Sequence, residues 1–282
     1  GTFEYGKDNS KFTVDDETKI IYPNLSSVKG IGDKAVNDIM EIYANGKNDF
    51  IDIYSSIKGT KINSSVFKKL VKIGYFRKFG STKKLLTCVG VYDEWKGSNG
   101  EGRKTISKAN ISELGLDDVD IYKFATDIMS SGKVSSKQFT QVDWVGIVKE
   151  LCSKIDNEEF ESYELAKFQY EVLKYVDYVD EELDWNYIVV TDLNTQYSPK
   201  FNAYCIKKGK VTEMKVHNKI NRGDKSIKTS FNEISFKDGD VLYIKNTKKQ
   251  PKKRKVGDDW EVVPDAFEWW IKDYVKVSQA ED

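Results

Sequence analysis

The chain has 282 residues, 39% hydrophobic and 13% aromatic, enough to bury one large core or two to three small ones. No apolar run is long enough to cross a bilayer and no basic-then-apolar leader opens the chain, which predicts an intracellular type of protein without a membrane partner. Three widely spaced cysteines (Cys88, Cys152, Cys205) and the single His217 argue against a disulfide framework, a zinc site or histidine acid–base chemistry. A formal net charge of zero hides segregation: residues 53–92 contain no acid, 245–255 form a second basic run, and 156–184 are acidic apart from Lys167 and Lys174.

In chain order, residues 11–14 and 20–22 read as two short strands around the turn 15–18, and Asn24 is placed to cap a first helical segment. Leu25 and Val28 give that segment a short apolar face, Gly30-Ile31-Gly32 a tight turn, and Ala35, Val36 and Ile39 a second helix running from 33 to 43 and stopping at Asn45-Gly46. Ile31 is expected between the two segments. Glycines at 30 and 32 allow positive φ and let a sugar-phosphate backbone approach closely. Amides at the start of the second helix can then hold a phosphate oxygen, with Lys29 and Lys34 beside them.

Phe50, Ile53, Tyr54 and Ile57 recur at helical spacing, and Ser64 or Ser65 can cap a helix with Val66, Phe67, Leu70, Val71 and Ile73 that ends at Gly74. Its other face carries Lys68, Lys69 and Lys72, which are expected to point outward. Residues 25–86 thus read as one compact basic helical unit suited to duplex DNA.

From 87 to 184 the pattern reads as helical with polar loops, with helices at 118–130, 144–155 and 163–178 and an exposed glycine-rich connector at 97–102. Asp117, Asp118 and Asp120 are read as capping and solvation. After 184, β-branched and aromatic runs at 185–192, 203–206, 211–217, 241–246 and 269–277 suggest a five-stranded OB-type barrel. Tyr197, Phe201 and Tyr204, near Lys200, Lys207 and Lys208, are candidates for stacking single-stranded bases, though each suits a barrel core equally well. Lys252, Lys253 and Arg254 are expected on a long cationic loop at the barrel rim.

The Gly30-Ile31-Gly32 turn resembles the helix-hairpin-helix, a sequence-independent DNA-binding element. The order of a leader ending Lys11-Phe-Thr-Val, the segment Val28-Lys-Gly-Ile-Gly-Asp-Lys-Ala-Val, then Phe50-Ile-Asp-Ile-Tyr, Asn63 to Phe76 and Lys83-Lys-Leu-Leu86 resembles the C-terminal region of the bacterial replicative DNA polymerase III alpha subunit, family C. Leu165 to Leu173 resembles that family's helix leading into its barrel, with Lys174 where glycine is usual. The resemblance is strongest over 12–86, weaker in the barrel and weakest over 87–164.

It implies a multi-domain α+β fragment, with a strand leader (1–22), a helix-hairpin-helix duplex-binding domain (23–86), a helical connector (87–184) and an OB-like domain (185–282). Starting at Gly1 agrees with a piece of a longer chain. It also implies that the catalytic aspartates and their Mg2+ belong to a palm upstream, so this segment holds no catalytic residue and no cofactor of its own, and works in the cytoplasm of a bacterial or phage-infected cell. The family carries an internal sliding-clamp peptide, and Gln141, Trp144 and Val145 stand at the matching place. The implied partners are duplex DNA, single-stranded DNA and a sliding clamp. The alternative is a stand-alone single-strand-binding or clamp-adaptor protein.

Overall fold

The structure, a computed structural model, describes residues 2–130, 133–196, 199–216 and 234–277, with backbone alone at 128–130 and 133–136. Tyr197, His217 and most of the insert between the third and fourth strands of the C-terminal sheet lie outside the described residues. The chain divides into two units, Gly1–Phe160 and Glu161–Asp282.

In the first unit, β1 (Thr13–Asp15) and β2 (Ile20–Tyr22) form an antiparallel pair, followed by a 3-10 turn at Leu25–Ser27 and helices α1 (Asp33–Ala44), α2 (Phe50–Ser56), α3 (Ser64–Lys72) and α4 (Thr82–Lys96). The caps explain the boundaries. Asn24 accepts from Ser26 N at 2.8 Å, Asp49 caps α2, and α1 stops before Gly46 at φ 76°. Asn63 caps α3 by accepting from Val66 N at 2.9 Å, so the expected serine cap moves back one residue. An aromatic core joins these helices. Phe67 stacks on Phe76 at 4.6 Å between centroids, and Tyr54, Phe50 and Tyr5 pack around that pair.

The 87–184 region departs from the helical expectation. Residues expected as a helix at 118–130 form a 3-10 turn (Ile121–Lys123) and β4 (Thr126–Ser130); β4 pairs with β5 (Lys133–Thr140), which also pairs with β3 (Ile106–Ser107). These strands are short and largely polar, so pairing rather than apolar alternation defines them, with Ile106 and Phe139 as buried partners across the ladder. α5 (Trp144–Lys154) follows.

The second unit opens with α6 (Ser162–Leu173), which stops five residues before the expected end because Lys174 turns left-handed at φ 65°. The position where the resembled family has glycine therefore needs a glycine conformation. Among the described residues five strands follow: β6 (Tyr187–Asn194), β7 (Lys200–Cys205), β8 (Lys210–Val216), β9 (Val241–Val256) and β10 (Asp259–Val277). They close in the order β10-β8-β7-β6-β9, antiparallel throughout except for a parallel β8–β10 pair. Ile188, Val190, Phe201, Ala203, Leu242, Ile244 and Ile271 fill one core. Val189, Tyr204, Ile206 and Val241 form a second with Ala166 of α6.

Tyr5 is buried, and its hydroxyl donates to Lys47 O at 2.9 Å. Burial, then the neighbouring Tyr43, push it up to about 12 from an ordinary value of 10.0. The folded state favours the neutral phenol, so this contribution is fully present below about pH 10 and lost as pH rises through about 12. Urea unfolding followed against pH should show that decline, and Tyr5→Phe should reduce its steepness. Lys174→Gly should stabilise the second unit by roughly 0.5–1 kcal/mol in the same assay.

Candidate nucleic-acid interface

The hairpin is built from buried apolar residues and exposed backbone. Leu25, Val28, Ile31, Ala35, Val36 and Ile39 are all buried, Ile31 between the two arms as expected. Ile31 N donates to Val28 O at 2.9 Å and Val28 N to Leu25 O at 3.1 Å, so the first arm is a single 3-10 turn rather than a full helix. Only Asn24 to Ser27 separate Pro23 from Val28, which leaves no room for more. Lys29, Gly30, Gly32 and Lys34 remain exposed around the start of α1.

The two glycines have different reasons to be there. Gly30 has φ 88°, and a Cβ on it would stand 3.0 Å from Lys69 Nζ. The fold itself requires it. Gly32 is extended at φ −93° and ψ 168°, which any residue adopts, and a Cβ there would meet nothing within 4 Å. Nothing inside this unit selects glycine at 32. An approaching backbone would. Gly32 is also the N-cap of α1 and brings no side chain to its first-turn amides, where the helix dipole favours an anion.

Lys69 is the residue that joins α3 to the hairpin. Its Nζ donates to Lys29 O at 3.0 Å, across forty positions of sequence. Lys72 lies one turn further along α3, whereas Lys68 turns to Asp93 at 3.8 Å. The structure therefore brings Lys29, Gly30, Ile31, Gly32, Lys34 and Lys69 together, and Lys68 belongs to a separate ion pair. The Lys69–Lys29 link is not legible in the sequence. The amphipathic spacing of α3 signals an exposed lysine, and only the packing of Phe67 and Leu70 aims it.

In the second unit the expected sites separate. Phe201 lies in the closed sheet's core and Tyr204 lies beneath α6 with its hydroxyl donating to Tyr178 O at 2.9 Å. Neither offers a face to a base, which overturns that part of the expectation. The rim loop also proves to be strand: Lys252, Lys253 and Arg254 sit in β9, opposite Val262 and Glu261 of β10 in a two-stranded arm that runs past the closed sheet. Lys207 is on the β7–β8 turn, and Asp180 is held below its ordinary value mainly by a Ser162 hydrogen bond, with Lys207 contributing.

The arm has two unlike faces. Lys249, Pro251, Lys253 and Lys255 oppose Trp269, Phe267, Val262 and Trp260. This row continues outward from Ile271 in the core, with exposure rising from 0% there to 38% at Trp269, 55% at Phe267 and 64% at Trp260. Lys249 Nζ lies 4.4 Å from the Phe267 ring centroid. The other face carries Lys215–Glu268 at 2.5 Å and Trp270 Nε1 donating to Glu268 Oε1 at 2.7 Å. Phe267, Trp269 and Ile271 show a period of two in the sequence, as do Trp260 and Val262, with a register shift between the two groups.

Residues 141–145 are folded into the first unit. Gln141 takes φ 51°, and Trp144 packs on Tyr92 at 5.0 Å between centroids and covers Gly102 closely.

This hairpin geometry agrees with comparison to known proteins. A helix-hairpin-helix motif family matches residues 7–86. The N-terminal region is therefore a helix-hairpin-helix domain, the class its turn and packing define. The domain is related to DNA polymerase III subunit alpha: the Campylobacter jejuni protein of that name is 36% identical over 78 residues, covering 27% of this chain and 6% of that protein. Among the described residues no helix is long and apolar enough to cross a membrane.

Gly30→Ala should cost about 1 kcal/mol of stability because alanine resists positive φ. Gly32→Ser should leave stability unchanged or raise it by a few tenths of a kcal/mol, since serine caps a helix slightly better than glycine. Fluorescence anisotropy with a duplex oligonucleotide should nevertheless show weaker binding for Gly32→Ser. Equal affinity would remove the ligand-side reason for Gly32.

Proposed function

We propose that this chain is a DNA-holding segment of a replicative polymerase alpha subunit, working in the bacterial cytoplasm. The helix-hairpin-helix domain grips the duplex backbone without reading sequence, and the second unit engages single-stranded template. The observation that carries the duplex reading is Gly32: an exposed glycine with ordinary dihedrals and empty space around it, at an uncapped helix start flanked by Lys29, Lys34 and Lys69. The kinship with polymerase III subunit alpha supports the cellular role.

The closed order of the second unit's strands supports reading it as an OB-type barrel. Numbered within the unit, the strands run 1-2-3-5-4, with the third and fifth parallel. For single strands, support now falls on the arm rather than on Phe201 and Tyr204. Trp260, Phe267 and Trp269 offer stacking faces beside Lys249, Lys253 and Lys255. Lys252 and Arg254 add positive charge on the reverse of the same ribbon. Since β8 and β10 are parallel, the turn bearing Lys207 leaves the sheet toward the same end as the arm.

A clamp-binding role for Gln141, Trp144 and Val145 has less support. Anchor residues of a docking peptide must enter a partner's pocket, and Trp144 is already engaged by Tyr92 and Gly102.

Replacing Trp260, Phe267 and Trp269 with alanine should weaken binding of an oligo-dT strand by about 1–3 kcal/mol per base stacked. Neutralising Lys252, Lys253 and Arg254 should flatten its salt dependence. Titrations over a salt series measure both, and unchanged affinity and slope would reject the arm as the single-strand site.

A further inference from the structure

The acid-free stretch of 53–92 runs into the first turn of α4, and there the chain supplies an acid of its own. Ser81 already caps this helix, its Oγ accepting from Lys84 N at 3.2 Å. The segment 157–159 nevertheless lies across the same turn. Ser81 N donates to Asn157 Oδ1 at 2.7 Å, and Ser81 Oγ donates to the Glu158 carbonyl. Thr82 N and Lys83 N donate to the two carboxylate oxygens of Glu159 at 2.9 and 3.2 Å, and Lys83 Nζ pairs with Glu158 at 3.3 Å.

A carboxylate bridging two first-turn amides occupies a helix start as a phosphate does. A helix that has its own serine cap does not need it for termination. Gly80 makes room for the strap, since a Cβ there would stand 3.1 Å from Asn157 Oδ1. Arg77, Lys78 and Lys84 line the open groove that Asn157 and Glu159 share. These four basic residues, Lys83 included, belong to the same acid-free stretch as Lys69, but Glu158 and Glu159 occupy the α4 amides and the Lys83 ammonium among them.

We propose that the 157–159 strap is an internal competitor for nucleic-acid phosphate: it holds the α4 amides and Lys83 until a duplex gripped by the hairpin displaces it. This rests on the duplex-binding reading above. Once displaced, the strap exposes two amides and up to four cations to a second stretch of backbone. An intramolecular competitor of this kind lowers affinity for short or weakly held duplex more than for duplex long enough to reach both places.

The test uses the full chain and duplex oligonucleotides over a salt series. Glu158→Gln with Glu159→Gln should tighten binding about tenfold at low salt and steepen the salt slope by about 1–2, one further phosphate contact adding roughly 0.9. Adding Lys83→Gln and Lys84→Gln should cancel that gain, while the same lysine changes in the native chain should weaken duplex binding by a smaller factor, because there the strap competes for the same place. Glu181→Gln with Glu182→Gln removes equal charge elsewhere and should leave affinity near native. Without any substitution, duplex should increase cleavage of the native chain by a glutamate-specific protease after Glu158 and Glu159. A gain equal to that of the Glu181 and Glu182 control, or cleavage unchanged by duplex, would overturn the strap while native binding persists. Failure of the native chain to bind duplex at low salt would overturn the underlying reading and the strap together.

Discussion

The first unit depends on the Phe67–Phe76 stack. Phe67 comes from α3 and Phe76 from the segment just after it, and their contact folds the chain back so that Tyr54, Phe50 and Tyr5 close around it. Each such aromatic pair contributes about 0.5–1.5 kcal/mol beyond the area it buries. The larger consequence is orientation. With Phe67 and Leu70 turned inward, Lys69 can stand only on the hairpin side of α3, and its ammonium reaches the Lys29 carbonyl. The core thus fixes where positive charge appears. A hairpin turn without that helix behind it would offer amides and two lysines, with its loop unsupported.

The same logic of one side inward and one side outward governs the second unit, with a different outcome. Inside the closed sheet, alternation buries Ile188, Val190, Phe201 and Ala203. Beyond the sheet, β9 and β10 continue the alternation with no facing layer among the described residues of this unit. The row that would be core becomes a row of exposed rings with lysines opposite. The arm therefore follows from strands that outrun the closed sheet they belong to.

Much of the first unit can be read from sequence because its signals are local. Asn24, Asn63 and the Asn45-Gly46 stop mark helix ends within one residue, and apolar spacing identifies the buried faces of α1 and α3. Residues 106–140 mislead because a polar strand such as β5 declares itself only through its partners. Phe201 and Tyr204 show the limit for sites: aromatic type and nearby lysines are visible in sequence, but the face each side chain takes is decided by register. The arm's length is hidden for a related reason, since a lysine-rich strand looks like a loop when apolar residues are the guide.

That arm also has a kinetic side. Its free part, residues 250–256 and their partners, extends on the order of 20 Å at a strand's rise of about 3.3 Å per residue. Among the described residues the ribbon has two strands held by their ladder, so it bends more readily than the sheet that roots it. Its β9 cations are offset by Asp258, Asp259, Glu261, Asp265 and Glu268, so reach and compliance, more than net charge, set the target it presents to a drifting polymer. Under the single-strand reading proposed above, capture begins at the tip and works inward, toward progressively more buried rings.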